Sequence, residues 1–569
     1  MRKIYSKIRM GHVVHQDYKD KGGDNERDKE KKTICLNMIV KNEAHVIERT
    51  FNMLLSKIPI NYWVISDTGS TDGTQDLIVQ YFKKLGIKGE LYDDPWRDFG
   101  YNRTRALEHA YKKTDYLLIF DADDELYGNP MIPEKLSADA YNLLFKTPNG
   151  VYYNRLMLIR NDIKWRFRGI LHECLNMCDE VIAKTRRPVY GNIEGDYHIL
   201  SGRQGDRSKN PYKYLIDGLR LEVAFIEEQE KDLKERYAFY CANSYKDYAE
   251  YTEICIANNI KHENYEKNLM MKDYGTDKKI TECYEKAIEW YKKVLIFDGW
   301  KQEKYVSYLR IYRCYCKLNR KKEGLPYLAE AYTADSERFE CVAELITHYL
   351  HLEMYDLCFI YYSSISEHFE NEKYVALVHE KLFLEEPIHS FVLPYLMIVV
   401  CDKLKKYHLA KKMFRIIFRQ RFKAPVKDIN CVLYNLQTVV GVSEGKEKDI
   451  EFNKLAKSYI QFLRDSGYDV DQCGYMHMYE KYGIVERTKT KTKKKILFYT
   501  GYTDKKWNIS QSISGSLGGS ERAVIYLAQA LRKINNEYQI YITGTVENEI
   551  QDEIHFVDLI NLPQLLKDN

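Results

Sequence analysis

Three carboxylates crowd the end of one apolar run. Residues 116–125 read YLLIFDADDE, and Asp121, Asp123 and Asp124 follow directly on a strand-like stretch. Two aspartates flanking one small residue can reach a single hydrated divalent cation, Mn2+ or Mg2+. Such a cation binds diphosphate oxygens and stabilises charge on a departing nucleoside diphosphate. The apolar run suits a strand buried on both faces, and ligands of open α/β sheets bind at the carboxyl ends of strands. The plainer reading is a polar loop that closes a strand, and one D-x-D alone does not decide between the two.

The preceding residues supply the elements that would position this cluster. TICLNMIV (33–40) reads as a buried strand, and Val46, Ile47, Phe51, Leu54 and Leu55 then recur at helical spacing. NYWVIS is a second strand and DTGSTDGT a turn-rich loop. Leu77, Ile78, Tyr81, Phe82 and Leu85 follow as one apolar helix face that stops at Gly86, with Ser70 or Thr71 as the expected N-cap. GELYDD and PWRD lead to a third helix, which carries Asn102, Arg103, Leu107 and Ala110. Alternating strands and helices predict a mostly parallel sheet covered on both faces.

In this order and spacing, VKNEAHVIERTF, SDTGSTDGT, YNRTRALEHA and DADDE resemble the nucleotide-sugar domain of family 2 glycosyltransferases with the GT-A fold. The resemblance runs more loosely through WRFRGILHE and YHILSGRQGDRSKNPYKY to residue 215. It is similar to a subgroup in which tetratricopeptide-like helices follow the transferase domain. It implies Asp123 as the main metal ligand and Asp121 as a ribose or second metal contact, with Asp124 and Glu125 in support. Asp67, at the end of the second strand, is implied in uracil or ribose binding, and an Asx turn explains it equally well. Gly69 and Gly73 either let the backbone approach a ligand or merely allow the turn. Asn102 and Arg103 fall on the donor side, Arg103 offering its guanidinium to the diphosphate or pairing with the acidic loop. An inverting transfer needs a carboxylate to take the acceptor proton, and Glu173 stands where the family pattern places it. His172 completes the metal sphere, orients the acceptor, or is a hydrogen-bonded structural residue. The chain lacks the Q-x-x-R-W motif of processive members, which argues against polymer synthesis.

Arg203, Arg207, Lys209 and Lys213 share a Gly- and Pro-punctuated segment, either a lid over the donor or a solvated link to the next domain. From residue 211 the pattern turns helical. Leu309, Ile311, Tyr315, Leu318, Leu325 and Tyr327 align with Ala343, Leu345, Tyr349, Leu352, Phe359 and Tyr361, 34 positions later, which is the tetratricopeptide period. Tyr and Phe stripes in such a solenoid are expected to be core. RTKTKTKKK (487–495) reads as a basic hinge. KILFYTG, GSLGGSERAVIYLAQAL and EYQIYITG then resemble the first half of a GT-B, family 4-like glycosyltransferase, about two strands and two helices that take no part in the chemistry.

Composition restricts the alternatives. With 87 basic against 83 acidic residues in 569, the net charge of +4 gives no strong pull toward nucleic acid or membrane. Thirteen cysteines without a C-x-x-C pair read as reduced thiols. No apolar signal segment opens the chain, and the longest apolar run, 391–401, is interrupted by Pro394 and too short to span a bilayer. The expectation is a cytoplasmic α/β protein: leader 1–32, GT-A domain 33–215, tetratricopeptide-like solenoid 216–485, linker 486–495 and a partial Rossmann-like unit 496–569. It would be a metal-dependent, inverting glycosyltransferase moving sugar from a nucleoside diphosphate, a UDP-sugar by the resemblance, to a protein, lipid or glycan. A protein partner on the repeats is the further expectation. The competing class is a non-enzymatic scaffold with a degenerate transferase domain.

Overall fold

Strand alternation builds the first layer. Along β1 (Ile34–Val40), Ile34, Leu36, Met38 and Val40 enter one core and Cys35 the other. Along β4 (Tyr116–Ile119), Tyr116 and Leu118 enter the first, Leu117 and Ile119 the second. Successive strand side chains point to opposite faces, so a run apolar at every position must be covered twice. Helices α1 (Ile47–Leu55) and α2 (Thr74–Leu85) cover the first core through Phe51, Leu54, Ile78 and Phe82. Helix α3 (Phe99–Ala110) covers the second through Leu107 and Ala110.

The computed structural model describes residues 32–147, 152–178, 186–202, 210–260, 277–369, 381, 383–441, 450–470, 494–501, 506–507, 519–534, 538–551 and 554–563. They fall into two compact units, Met1–Phe422 and Lys423–Asn569. The leader, most of the basic segment after residue 202, most of the basic linker and residues 515–518 of the Gly-rich loop lie outside the described residues.

In the first unit one sheet runs β3 (Gly89–Asp93), β2 (Tyr62–Asp67), β1, β4, β7 (Tyr152–Arg160), β6 (Ala140–Lys146), β11 (Glu194–Leu200), β5 (Glu125–Met131), with β10 (Tyr190–Asn192) beside β6. The expected parallel pairing holds for β3/β2, β2/β1 and β1/β4, and β6 also pairs parallel with β11 and β10. From β4 onward the pairs β4/β7, β7/β6 and β11/β5 are antiparallel. Antiparallel neighbours need no crossover helix, and none of the described residues between β4 and β11 forms one. The sheet is therefore mixed. Val40 pairs with Asp67 and Asp67 with Asp93, so three parallel strands end level and send their loops to one edge.

Helix α2 starts later than expected. Gly73 is its N-cap, at φ 88°, a left-handed conformation that glycine adopts without strain. Asp72, not Ser70 or Thr71, accepts from the Thr74 amide, at 3.1 Å.

Beyond the sheet come α4 (Lys213–Glu227), α5 (Lys231–Ala257), α6 (Asp277–Ile296), α7 (Lys301–Lys317), α8 (Lys321–Ala334), α9 (Glu340–His351) and α10 (Tyr355–Ser363). A short α11 (Ser366–Phe369), a π turn (Ile388–Val392), α12 (Leu393–Lys403) and α13 (Tyr407–Gln420) complete the unit. From α4 to α10 each helix packs on the next. Tyr315 stacks on Tyr327 at 6.1 Å and Tyr349 on Tyr361 at 5.5 Å, the same contact 34 positions on. The turns repeat too: Asn319 and Glu353 both have positive φ, and Arg320 and Met354 amides reach back to the Tyr315 and Tyr349 carbonyls at 2.8 and 2.9 Å. That is a Schellman closure of each first helix.

Between α8 and α9 the Arg338–Glu340 pair, 2.6 Å apart, is wholly buried. Tyr305 donates to Glu340 at 3.0 Å, and Arg338 donates to Gln302 and to the Phe383 carbonyl. Burial pushes the Glu340 carboxyl up, but Arg338 and His389 override it and bring it down to about 2. A depressed carboxylate stabilises the fold above its ordinary value of about 4.3, and that contribution is lost as pH falls through the lowered one. Glu340→Gln is expected to cost about 3 kcal/mol at neutral pH, because it strands a buried cation. Urea unfolding monitored by helix ellipticity checks this, and an unchanged midpoint would contradict it.

The second unit contains α14 (Val426–Gly441), α15 (Ile450–Asp465) and a sheet ordered β12 (Lys494–Tyr499), β13 (Tyr538–Gly544), β15 (Ile554–Asp558), β14 (Glu549–Gln551). β12, β13 and β15 are parallel, and α16 (Gly519–Ile534) crosses between β12 and β13. It has four strands where two were expected, and its own core of Ile525, Ile540, Ile542, Ile554 and Phe556. Among the described residues no helix is long and apolar enough to cross a membrane, and no disulfide forms.

Candidate active site

Two polar loops at the level strand ends are laced together. The amides of Asn42, Glu43 and Ala44 donate to Ser70 Oγ, Thr74 Oγ1 and Asp72 Oδ2 at 2.9, 2.9 and 3.0 Å, and the Thr71 amide donates to Asn42 Oδ1 at 2.8 Å. Asp67 Oδ1 accepts from the amides of Gly69 and Ser70 and from Gln75 Nε2. The Asx-turn reading of Asp67 thus holds. Its second oxygen, Oδ2, is buried with no hydrogen-bond partner among the described residues. Asn42, Asp72 and Thr74 were missed as site-shaping residues; their turn-forming side chains were the available signal.

Asn102, expected on the donor, is fully buried and spent on the loop before it. Its Oδ1 accepts from the Arg97 amide at 2.9 Å, and its Nδ2 donates to the carbonyls of Pro95 and Asp94 at 3.1 and 3.4 Å. That side chain sets the shape of PWRD.

Arg103, one residue on, takes the second of its two expected roles. Its Nη2 lies 2.6 Å from Asp121 Oδ1 and its Nε pairs with Glu173 Oε1 at 2.7 Å, with only 8% of the side chain exposed. Burial opposes the Arg103 charge, but Asp121 and Glu173 overcome this and strengthen its hold on the proton. Burial likewise raises the Asp121 carboxyl, and Arg103 with Arg155 more than reverses it. Arg155 Nη1 is 3.6 Å from Asp121 Oδ2.

The fold brings Glu173 to Arg103 through a hairpin, β8 (Trp165–Arg168) and β9 (Cys174–Met177), laced to α3. Thr104 Oγ1 donates to the Phe167 carbonyl and accepts from its amide. Gly100 lies so close to the Gly169 carbonyl that any Cβ there would overlap it.

The acidic turn is braced from both sides. Thr50 Oγ1 donates to the Ala122 carbonyl, and the Gly202 amide donates to Asp124 Oδ1 at 2.9 Å. A Cβ on Gly202 would collide with Asp123. Asp124 is buried and its Oδ2 has no hydrogen-bond partner among the described residues. Burial and the charge of Asp121 push its carboxyl up to about 7.

Two lobes of one cleft meet at the Arg103–Asp121 pair. The first, ≈ 470 Å³, is lined by Val40, Thr68, Trp96, Asp123, Lys213 and Arg220. The second, ≈ 650 Å³, holds Glu173 and His172. Phe99, Arg103 and Asp121 belong to both. His172, at φ 53°, stacks its ring on Tyr240 at 3.9 Å. It therefore lines the lobe that holds Glu173, together with Asp121, while Asp123 lines the other.

Among the described residues no three His, Cys, Asp or Glu side chains converge as a ligand set. The hard oxygens of Asp123 and Asp121 nevertheless suit a cation such as Mg2+ or Mn2+, which keeps waters or phosphate oxygens and needs only one or two carboxylates from the protein.

A mixed sheet with a carboxylate cluster at its strand ends and a two-lobed cleft beside it defines a ligand-binding α/β domain. Residues 35–138 match the family described as "Glycosyl transferase family 2". The N-terminal region is therefore a domain of that kind, and its enzyme class is glycosyl transfer. No curated protein matches the chain. Among solved structures, S. aureus TarS 1-349 in complex with UDP-GlcNAc is similar at 13% identity, covering 54% of this chain and 93% of that one, with a TM-score of 0.27. Mannosyltransferase PcManGT from Pyrobaculum calidifontis, in complex with GDP-Man and Mn2+, is similar at 12% identity over 53% and 86%, with a TM-score of 0.23. Scores this low leave the site to be argued from the chain's own residues.

Proposed function

We propose that the chain is a metal-dependent, inverting glycosyltransferase, with the Asp123 lobe taking a nucleoside diphosphate sugar and the Glu173 lobe the acceptor. The observation that carries this reading is the ion-pair chain Asp121–Arg103–Glu173, which joins the lobes at 2.6 and 2.7 Å. It sets a carboxylate in each lobe on either side of one cation. The acceptor oxygen bonds to the anomeric carbon as its proton passes to Glu173. The bond from that carbon to the diphosphate breaks, and its electron pair leaves with the diphosphate. Asp67 holds the loop beside the base or ribose in shape through its Oδ1. When bound, a divalent cation held by Asp123 and Asp121 supplies charge stabilisation for the leaving diphosphate.

Helices α4 and α5 bring Lys213, Arg220, Arg236 and Tyr240 to the two lobes. That sharing supports an enzyme over a scaffold that merely retains a transferase domain. The recurring tyrosine pairs and turns support a tetratricopeptide-like character for the helices. The parallel strands of the second unit support a partial GT-B-like origin.

Asp123→Asn tests the donor side. The variant is expected to lose the manganese-dependent part of UDP or GDP binding, measured by calorimetry, with its thermal melt unchanged. Wild-type manganese-dependent affinity in the variant would sink the assignment.

A further inference from the structure

The lobe that holds Glu173 has a wall that the sheet does not supply. Arg236 and Tyr240 stand one helical turn apart on α5 and line it opposite residues of the transferase domain. Arg236 Nε donates to the His172 carbonyl at 2.6 Å, and its guanidinium lies over the Tyr240 ring, 5.0 Å from the centroid. The helix is pinned beside Glu173 by further contacts. The Ile170 amide donates to Tyr237 Oη at 3.1 Å, and Arg168 pairs with Asp232 at 2.9 Å and with Glu230. Arg236 is thus a fixed part of the lobe's lining.

Charge in this lobe is unbalanced. Its lining includes the arginines 103, 155 and 236, against the carboxylates of Asp121 and Glu173. Arg103 already answers both carboxylates. Arg155 has Asp121 at 3.6 Å, and Arg236 has no carboxylate within ion-pair distance among the described residues. Glu303 is an acid whose charge Arg236 feels, but burial pushes it up to about 7, which makes it a weak counter-charge. Planar guanidinium forks match phosphate and carboxylate oxygens two at a time. The rings of Phe99, Tyr153, Phe167 and Tyr240 line the same space and offer apolar faces to a sugar ring.

We propose that this lobe takes a saccharide acceptor bearing an anionic group, a phosphate ester or a carboxylate, which Arg236 and Arg155 bind while the accepting hydroxyl faces Glu173. The proposal rests on the cleft being a transfer site and adds the chemistry of the acceptor. Arg236 acts here as a specificity residue supplied by the helical region.

Calorimetric titration of the full chain with glucose, glucose 6-phosphate and glucuronate, with and without UDP, tests it. At least one anionic sugar is expected to bind ten-fold or more tightly than glucose. Preference for the phosphate or for the carboxylate identifies which group the site reads. Arg236→Gln is expected to remove the advantage while leaving the thermal melt and UDP affinity at wild-type values, and Arg236→Lys to restore only part of it. Equal affinity for the three sugars in the wild type overturns the proposal, and so does an anion preference that survives Arg236→Gln. Absence of UDP binding in the wild type counts against the transferase reading alone, because the sugar series without UDP scores the anion preference separately.

Discussion

Glu173→Gln is expected to bind nucleotide donor as the wild type does and to transfer sugar 10²- to 10⁴-fold more slowly, the range that a positioned general base contributes. Glutamine keeps the length of the side chain, but it cannot take up the acceptor proton. Donor affinity should hold because Asp123 and Thr68 line the other lobe, and among the described residues the side chains shared by both are Phe99, Arg103 and Asp121. Single-turnover transfer with a matched nucleotide sugar, set beside calorimetric donor binding, separates the two effects. Near-normal turnover would move the base to Asp124, the buried carboxylate beside Asp121.

What the sequence made legible was local. The apolar runs of β1 and β4, the helix face of α2 and its stop at Gly86 each depend on neighbours within a few positions, and each is present. The acidic strand end was legible because strand and carboxylates are contiguous. The antiparallel half of the sheet was not, since pairing β4 with β7 joins segments that share no short-range signal. Neither was the use of Asn102. An asparagine beside an arginine on one helix reads as a donor contact until its loop is seen to take its amide N–H groups and one bond to its oxygen. For Arg103 the sequence left two roles open and gave no sign of its second partner, Glu173, which lies on a distant hairpin whose approach depends on Gly100 touching Gly169. The wall provided by α5 was also hidden, because Arg236 and Tyr240 sit in a helix whose aromatic spacing reads as ordinary core.

Arg103→Met is expected to lower stability by about 5 kcal/mol, at the upper end of what breaking a buried ion pair costs, and to abolish transfer. Two carboxylates lose their counter-charge in a single step. Asp121 keeps only Arg155 at 3.6 Å, and Glu173, 9% exposed, keeps no ion-pair partner among the described residues. Methionine fills much of the volume, so the loss reports charge rather than a cavity. The double variant Arg103→Met, Glu173→Gln tells the two apart. Neutralising Glu173 removes one of the stranded charges, so the double variant is expected to be more stable than Arg103→Met alone, by about 1–3 kcal/mol of coupling between contacting residues. Packing damage would instead add to the effect of the second change. Had Arg103 served mainly as a diphosphate contact, its removal would weaken donor binding and leave the melt of the nucleotide-free protein alone. A nucleotide-free melting temperature equal to that of the wild type would therefore contradict the ion-pair chain as the joint between the two lobes.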